Sequence, residues 1–219
     1  MKKILGCAAL AAVSLLAPQG ASAQIYEITN QIPQLLQPAL SGSASYKGFV
    51  EASYVQGVGD DKINSLELTT TQGFNYSNWF FMGVGAGANV AFSRHWDGNC
   101  GGPVSYMTST YAIVPLYTDF RFNVGNTAAP SFFVDLRLGC AFLVGSDEME
   151  LANGLVTNKE YFYFRPTIGL RIPASSKSPK QAFNIGLSYQ LLTARMQMSY
   201  YDRSNVVLNG LGAGVSFEW

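Results

Sequence analysis

Along Ser131–Val144, SFFVDLRLGCAFLV, apolar and polar positions alternate. Phe132, Val134, Leu136, Leu138, Cys140 and Phe142 share one parity, while Asp135 and Arg137 share the other. Successive side chains of a strand point to opposite faces, so this is a β-strand with one apolar and one polar face. The same split recurs from Tyr46 onward and predicts eight strands, over 46–56, 63–74, 79–92, 108–124, 131–144, 161–173, 182–192 and 206–219. Val50, Ala52 and Tyr54 oppose Lys47 and Glu51; Leu66, Leu68 and Phe74 oppose Glu67. Val114, Leu116, Phe120, Phe122 and Val124 oppose Asp119 and Arg121. Phe162, Phe164, Ile168 and Leu170 oppose Arg165 and Arg171; Phe183, Ile185, Leu187 and Tyr189 oppose Asn184, Ser188 and Gln190. No charge falls on an apolar face. Pro115 and Pro166 lie inside strands and, lacking a backbone donor, should each mark a bulge or a strand end.

A β-sandwich hides its apolar face inward and a membrane barrel turns it to lipid, and periodicity alone does not separate them. Strand length does. These strands are about twice the 5–6 residues usual in globular proteins and suit tilted membrane strands of about 9–11 residues or more. Connections point the same way. The loops 57–62, 93–107, 145–160 and 193–205 alternate with turns at 75–78, 125–130 and 174–181, and the first set is mostly longer, as an outer-membrane barrel requires of its external loops. Aromatics gather near strand ends, with Tyr76, Trp79, Phe80, Phe132 and Trp219 at one end and Tyr54, Phe92, Tyr106, Tyr111, Phe142 and Tyr189 at the other. They are assigned to two interfacial girdles.

The beginning of the chain adds a route. MKKILGCAALAAVSLLAPQGASAQ carries two lysines, a short apolar run and Ala21-Ser22-Ala23, the pattern of a secretory signal cleaved after Ala23. Cys7 sits at the start of the apolar run rather than after it, which argues against lipidation there. Segment 24–45 has Ile25, Ile28, Ile32, Leu35, Leu36 and Leu40 at near-helical spacing broken by Pro33 and Pro38. It reads as a short periplasmic helix and Ser/Gly linker, and as a candidate docking peptide. The domain reading is therefore signal peptide 1–23, periplasmic segment 24–45 and barrel 46–219.

Composition agrees. Aromatic and charged residues each make up 13% of the chain, and mean hydropathy is slightly positive, which suits an exported chain facing lipid. Net charge is zero, and no basic patch suggests a nucleic-acid partner. Cys100 and Cys140 are too few for a disulfide framework.

The polar faces would line the lumen. "TDFRF" at 118–122 and "VDLRL" at 134–138 flank a turn centred near 128, which sets Asp119 against Arg137 and Arg121 against Asp135, with Phe120 opposite Leu136 and Phe122 opposite Val134. Both charge pairs are expected to form salt bridges. Glu51 and Glu67 are expected to meet Arg165 and Arg171, and Lys47 is placed to meet Glu218. Eight strands leave an interior just wide enough for side chains to fill, so a plugged lumen is expected, with a narrow conduit as the alternative.

With these features the chain resembles the small OmpA/OmpX-type eight-stranded outer-membrane barrels of Gram-negative bacteria. The resemblance covers 46–219 and rests on YKGFVEASY, FFMGVGAGANV, VPLYTDFRFNVG, FFVDLRLG, YFRPTIGLRIP and the terminal GVSFEW. It implies an all-β, antiparallel up-and-down transmembrane barrel with both termini periplasmic. It also implies assembly by the outer-membrane insertion machinery, with Val215, Phe217 and Trp219 as the C-terminal signal. Members are adhesins, envelope-integrity proteins, lipid-modifying enzymes or accessory subunits, so the resemblance fixes no single activity.

Candidate chemistry is sparse. His95, in SRHWDGNCGG, has Ser93, Asp97 and Cys100 nearby, but they crowd one loop with no scaffold to set catalytic geometry, and no CxxC or HxxxH spacing supports a metal. GVGAGA at 83–88 lies in a strand without the helix and lysine of a phosphate loop; its small residues make room for lumenal side chains. No catalytic, cofactor or metal site is assigned. The expected function is structural or interactive, in adhesion, envelope integrity or as a complex accessory, through external loops or residues 24–45. Met196, Met198, Tyr200 and Tyr201 in loop 193–205 form the candidate contact surface. Passive transport stands second and a lipid-modifying enzyme third.

Overall fold

The computed structural model describes residues 44–59, 62–96, 106–125, 128–151, 154–156, 158–175, 178–199 and 202–219. All eight predicted strands are present: β1 (Ser45–Val58), β2 (Ile63–Asn75), β3 (Phe80–Trp96), β4 (Tyr106–Val124), β5 (Ser131–Val144), β8 (Glu160–Ser175), β9 (Ser178–Ser199) and β10 (Asp202–Glu218). They form a closed antiparallel barrel in the order β1-β10-β9-β8-β5-β4-β3-β2. A separate two-stranded hairpin, β6 (Met149–Leu151) and β7 (Gly154–Val156), interrupts the connection from β5 to β8. The first and last strands close the cylinder with Val50 opposite Phe217 and Ala52 opposite Val215. Trp219 extends that seam: its N–H donates to the Gly48 carbonyl, and the Gly48 N–H donates to the Trp219 carbonyl, each at 3.1 Å. The signal peptide, nearly all of segment 24–45, and Asp97 and Cys100 lie outside the described residues.

The apolar parity faces outward in every strand. Leu187, Leu68, Ile168, Phe132 and Leu211 are exposed, while the charges opposite them are buried. Such a surface is stable only in contact with lipid. Polar atoms bound the belt. At the end carrying the barrel's termini, the Tyr46 hydroxyl donates to Gln72, Trp79, Phe80 and Phe122 cluster, and Phe217 lies between Phe183 and Trp219. At the opposite end Tyr54 donates to Gln56 (2.8 Å), Gln56 to Asn64 (2.6 Å) and Tyr189 to Asn209 (2.6 Å). The ten steps from Tyr46 to Gln56, rising about 3.3 Å each and tilted by about 40°, span about 25 Å, the height of an outer-membrane apolar band.

Three expectations are corrected. Pro115 and Pro166 mark neither a bulge nor a strand end. The β3–β4 ladder skips the rungs at Pro115 and resumes in the same register, Ala86 opposite Leu116 and Asn89 opposite Ile113. The β8–β9 ladder does the same around Pro166, between Phe164–Leu191 and Thr167–Ser188. Each proline is still paired on its other side, with Ala141 and Leu136 respectively, and that ladder continues without a register shift. Second, the expected loop 193–205 is largely a ribbon of β9 and β10, paired from Ser199–Asp202 downward. The side chains of Met196 and Met198, and residues Tyr200 and Tyr201, lie outside the described residues. Third, Tyr111 is not in a girdle. It shares parity with Tyr117 and Asp119 and is buried inside.

Candidate functional site

The lumen holds all eight residues expected there. Among the described residues, five acids (Glu51, Glu67, Asp119, Asp135 and Glu218) and five bases (Lys47, Arg121, Arg137, Arg165 and Arg171) are buried in it. Charge in a narrow, poorly hydrated interior must be paired, and the pairing is layered. Nearest the termini, Glu218 accepts from Lys47 at 3.0 Å and from Arg171 Nε at 2.7 Å. One level up, Arg121 reaches Asp135 at 3.2 Å, with its guanidinium between the rings of Phe49 (4.1 Å) and Phe133 (4.5 Å).

Arg137 is the hub of the middle layer. It makes a two-pronged contact with Glu51 across the lumen (2.6 and 3.2 Å), reaches Asp135 at 3.2 Å and Asp119 at 3.7 Å, and lies over the Tyr117 ring. Arg165 bridges Glu67 (2.6 Å) and Glu51 (3.1 Å). Glu67 also accepts from Asn89 and the Tyr163 hydroxyl, each at 3.1 Å. Gly85 lets the Tyr117 ring into this layer; a Cβ there would overlap it. A residual void beside Glu51, Arg165, Asn184 and Ser216 has room for about one water.

The register sets Asp119 opposite Arg137 and Arg121 opposite Asp135, with Phe120 opposite Leu136 and Phe122 opposite Val134. The side chains distribute less evenly. Arg137 turns toward Glu51, and among the described residues Asp119 keeps only the 3.7 Å ion pair, with no hydrogen bond. Arg171 meets Glu218 and neither Glu51 nor Glu67. It lies six residues nearer the termini than Arg165, about 20 Å along the strand, and Glu51 and Glu67 sit at the level of Arg165. Val215 and Trp219 face outward, and Phe217 stacks on Trp219. Cys140 is a free thiol, half-buried on the outward parity.

Above the charges the interior changes character. Tyr111, Ile113, Ala141, Leu143, Tyr161, Tyr163, Leu192, Ala194, Val206 and Leu208 form a buried apolar cluster, joined by Met149 and Leu151 of the hairpin. The outward faces there carry Arg94, Thr108 and Thr110, all exposed. Along the axis the interior thus turns from charged in the membrane zone to apolar beyond it, while the outward face becomes mixed, with Val144 and Val207 exposed beside these polar residues. The hairpin crosses this chamber, β6 against β3 and β7 against β9, which are opposite walls of the barrel. Glu150 latches it. Its N–H donates to the Tyr111 hydroxyl (2.8 Å), its carbonyl accepts from Ser93, and its carboxylate accepts from Ser109 (3.4 Å). At the hairpin's base a salt bridge to Lys159 holds the Asp147 carboxyl below its usual range.

The sequence reading missed this chamber, although its signal was present: Leu143 shares the parity of Asp135 and Arg137, and Ile113 that of Asp119. Of the candidate chemistry around His95, Ser93 is committed to the hairpin, and the His95 side chain lies outside the described residues. Among the described residues no cluster of His, Cys, Asp or Glu could hold a metal.

No family model matches the sequence, and no curated protein matches it. Solved structures do. The chain is similar to Neisserial surface protein A, with 12% identity, 79% of this chain and 97% of that one covered, and a TM-score of 0.52. Weaker likenesses include the N-terminal β-barrel domain of Pseudomonas aeruginosa OprF (10% identity, 80% and 99% covered, TM-score 0.42) and the outer membrane enzyme PagL (12%, 77% and 97%, 0.47). At such identities the likeness speaks for the fold. The closed eight-strand ladder, the apolar belt about 25 Å high and the match to Neisserial surface protein A agree: this chain has the fold of the small eight-stranded outer-membrane β-barrels.

Proposed function

We propose that the protein is a closed-lumen outer-membrane barrel that acts through its external face as a structural or interaction protein, and is neither a channel nor an enzyme. One observation carries this reading: both halves of the lumen are filled, the lower by ten paired charges and the upper by an apolar cluster under a hairpin. A conduit needs a continuous polar path, and here the charges are spent on each other. The third reading, a lipid-modifying enzyme, gains no support at Ser93, whose hydroxyl donates to the Glu150 carbonyl. The partners are then outer-membrane lipid along the belt, the insertion machinery reading Val215, Phe217 and Trp219 during biogenesis, and envelope proteins at the outer face or at residues 24–45. Reconstituted into liposomes, the protein should leave arabinose permeability at the protein-free baseline. Swelling that rises with protein content would refute the closed lumen.

A further inference from the structure

The hairpin is held in an unusual way for a barrel loop. β6 and β7 pair with each other over three rungs and with no barrel strand. A lone two-stranded hairpin is marginal in water, so its order comes from what it sits in. The wall receives a specific pattern: two apolar side chains two residues apart, Met149 and Leu151, both buried, with the peptide groups of the residue between them captured from the side. Tyr111 and Ser93 satisfy the N–H and C=O of Glu150, as a neighbouring strand would. Such recognition reads main chain and alternate side chains, the mode by which extended peptides are bound. One donor in the chamber is still unused. The Tyr161 hydroxyl is buried among these apolar groups with no hydrogen-bond partner among the described residues, an arrangement that disfavours a purely structural core and suits a second backbone carbonyl.

We propose that the outer chamber is a peptide-binding cup for an extended apolar-x-apolar segment of a partner protein, and that Met149–Glu150–Leu151 occupies it in cis until such a segment displaces the hairpin. The inference rests on the closed-barrel reading, because the charge layers below would keep the lumen sealed while the cup is empty. It gives that reading a partner class: a protein presenting an exposed strand edge with two apolar side chains at alternate positions.

The test is complementation in trans. Residues 147–157 are replaced by a short Gly/Ser linker; the Leu143–Lys159 backbone bond that closes β5 on β8 lies outside the deletion. The probe is a fluorescent peptide of sequence DEMELANGLV, residues 147–156. In detergent micelles the trimmed barrel should bind it saturably at one to one, at least about tenfold more tightly than the intact protein does. Serine at both apolar positions of the peptide should cost at least about another tenfold, since two buried anchors are lost. Three outcomes overturn the proposal: no binding by a variant that keeps the heat-modifiable mobility of a folded barrel, equal binding of the serine peptide, or full displacement by a long-chain fatty acid, which would make the cup a lipid site. If the trimmed barrel fails to fold, the full-length variant Met149→Ser/Leu151→Ser takes its place with the same expectations. Conductance is scored separately, so a protein that binds the peptide and also conducts refutes the closed lumen alone.

Discussion

Replacing Arg137 with methionine should cost the barrel about 3–5 kcal/mol, the loss typical when one member of a buried ion pair is removed. Arg137 is fully buried and shared among Glu51, Asp135 and Asp119, so its removal takes the ion pair of Asp119 and one of the cations that hold Glu51 and Asp135, in a nearly dry interior. Methionine fills much of the same volume, which separates the charge effect from a cavity. The urea midpoint for losing the folded, fast-migrating form on unheated gels is the readout. Adding Glu51→Gln should restore part of the loss, because without Arg137 the buried acids outnumber the buried bases and this removes one of them. The exposed Asp147–Lys159 pair is the contrast: Lys159→Ala should leave the midpoint where it is, because exposed pairs contribute little. A fall of less than about 1 kcal/mol for Arg137→Met would mean that water reaches the layer.

The second large effect is expected on the outside. Leu187 is 64% exposed, and in a water-soluble protein an arginine there would be close to neutral. In this barrel it lies within the apolar belt, and Leu187→Arg should cost about 2–4 kcal/mol in lipid vesicles. Asn209→Arg, on the same outward face but in the polar ring at the outer boundary, should cost about 0–1 kcal/mol. Equal effects at the two positions would remove the belt from the account.

Much of this architecture was legible in the sequence because strand parity is a strict code. Phe132 through Phe142 had to face one way and Asp135 and Arg137 the other, and a turn centred near 128 sets their partners one by one. Side-chain reach was not legible. Arg137 and Arg171 are long enough to choose among acids on several strands, and their choice depends on barrel stagger, which no single hairpin reveals. The outer chamber was hidden for a different reason. Inside a membrane zone inward means polar, and the same parity carries Ile113, Leu143, Leu192 and Leu208 where the barrel leaves lipid. Recognising it requires knowing the height at which Gln56, Asn64 and Asn209 end the belt. The hairpin is three residues a side, too short for any periodicity, and only Met149 and Leu151 at alternate positions announce it.

The central claim is that paired charges and an apolar cluster seal this barrel from end to end. Single-protein recording in a planar bilayer tests it most directly. A flat trace at the conductance of the bare membrane is expected, for the intact protein and also after deletion of residues 147–157, because Arg137, Arg165, Glu51 and Glu67 still fill the lumen. Stable unitary steps in the intact protein, altered in size or ion selectivity by Arg165→Ala, would contradict it.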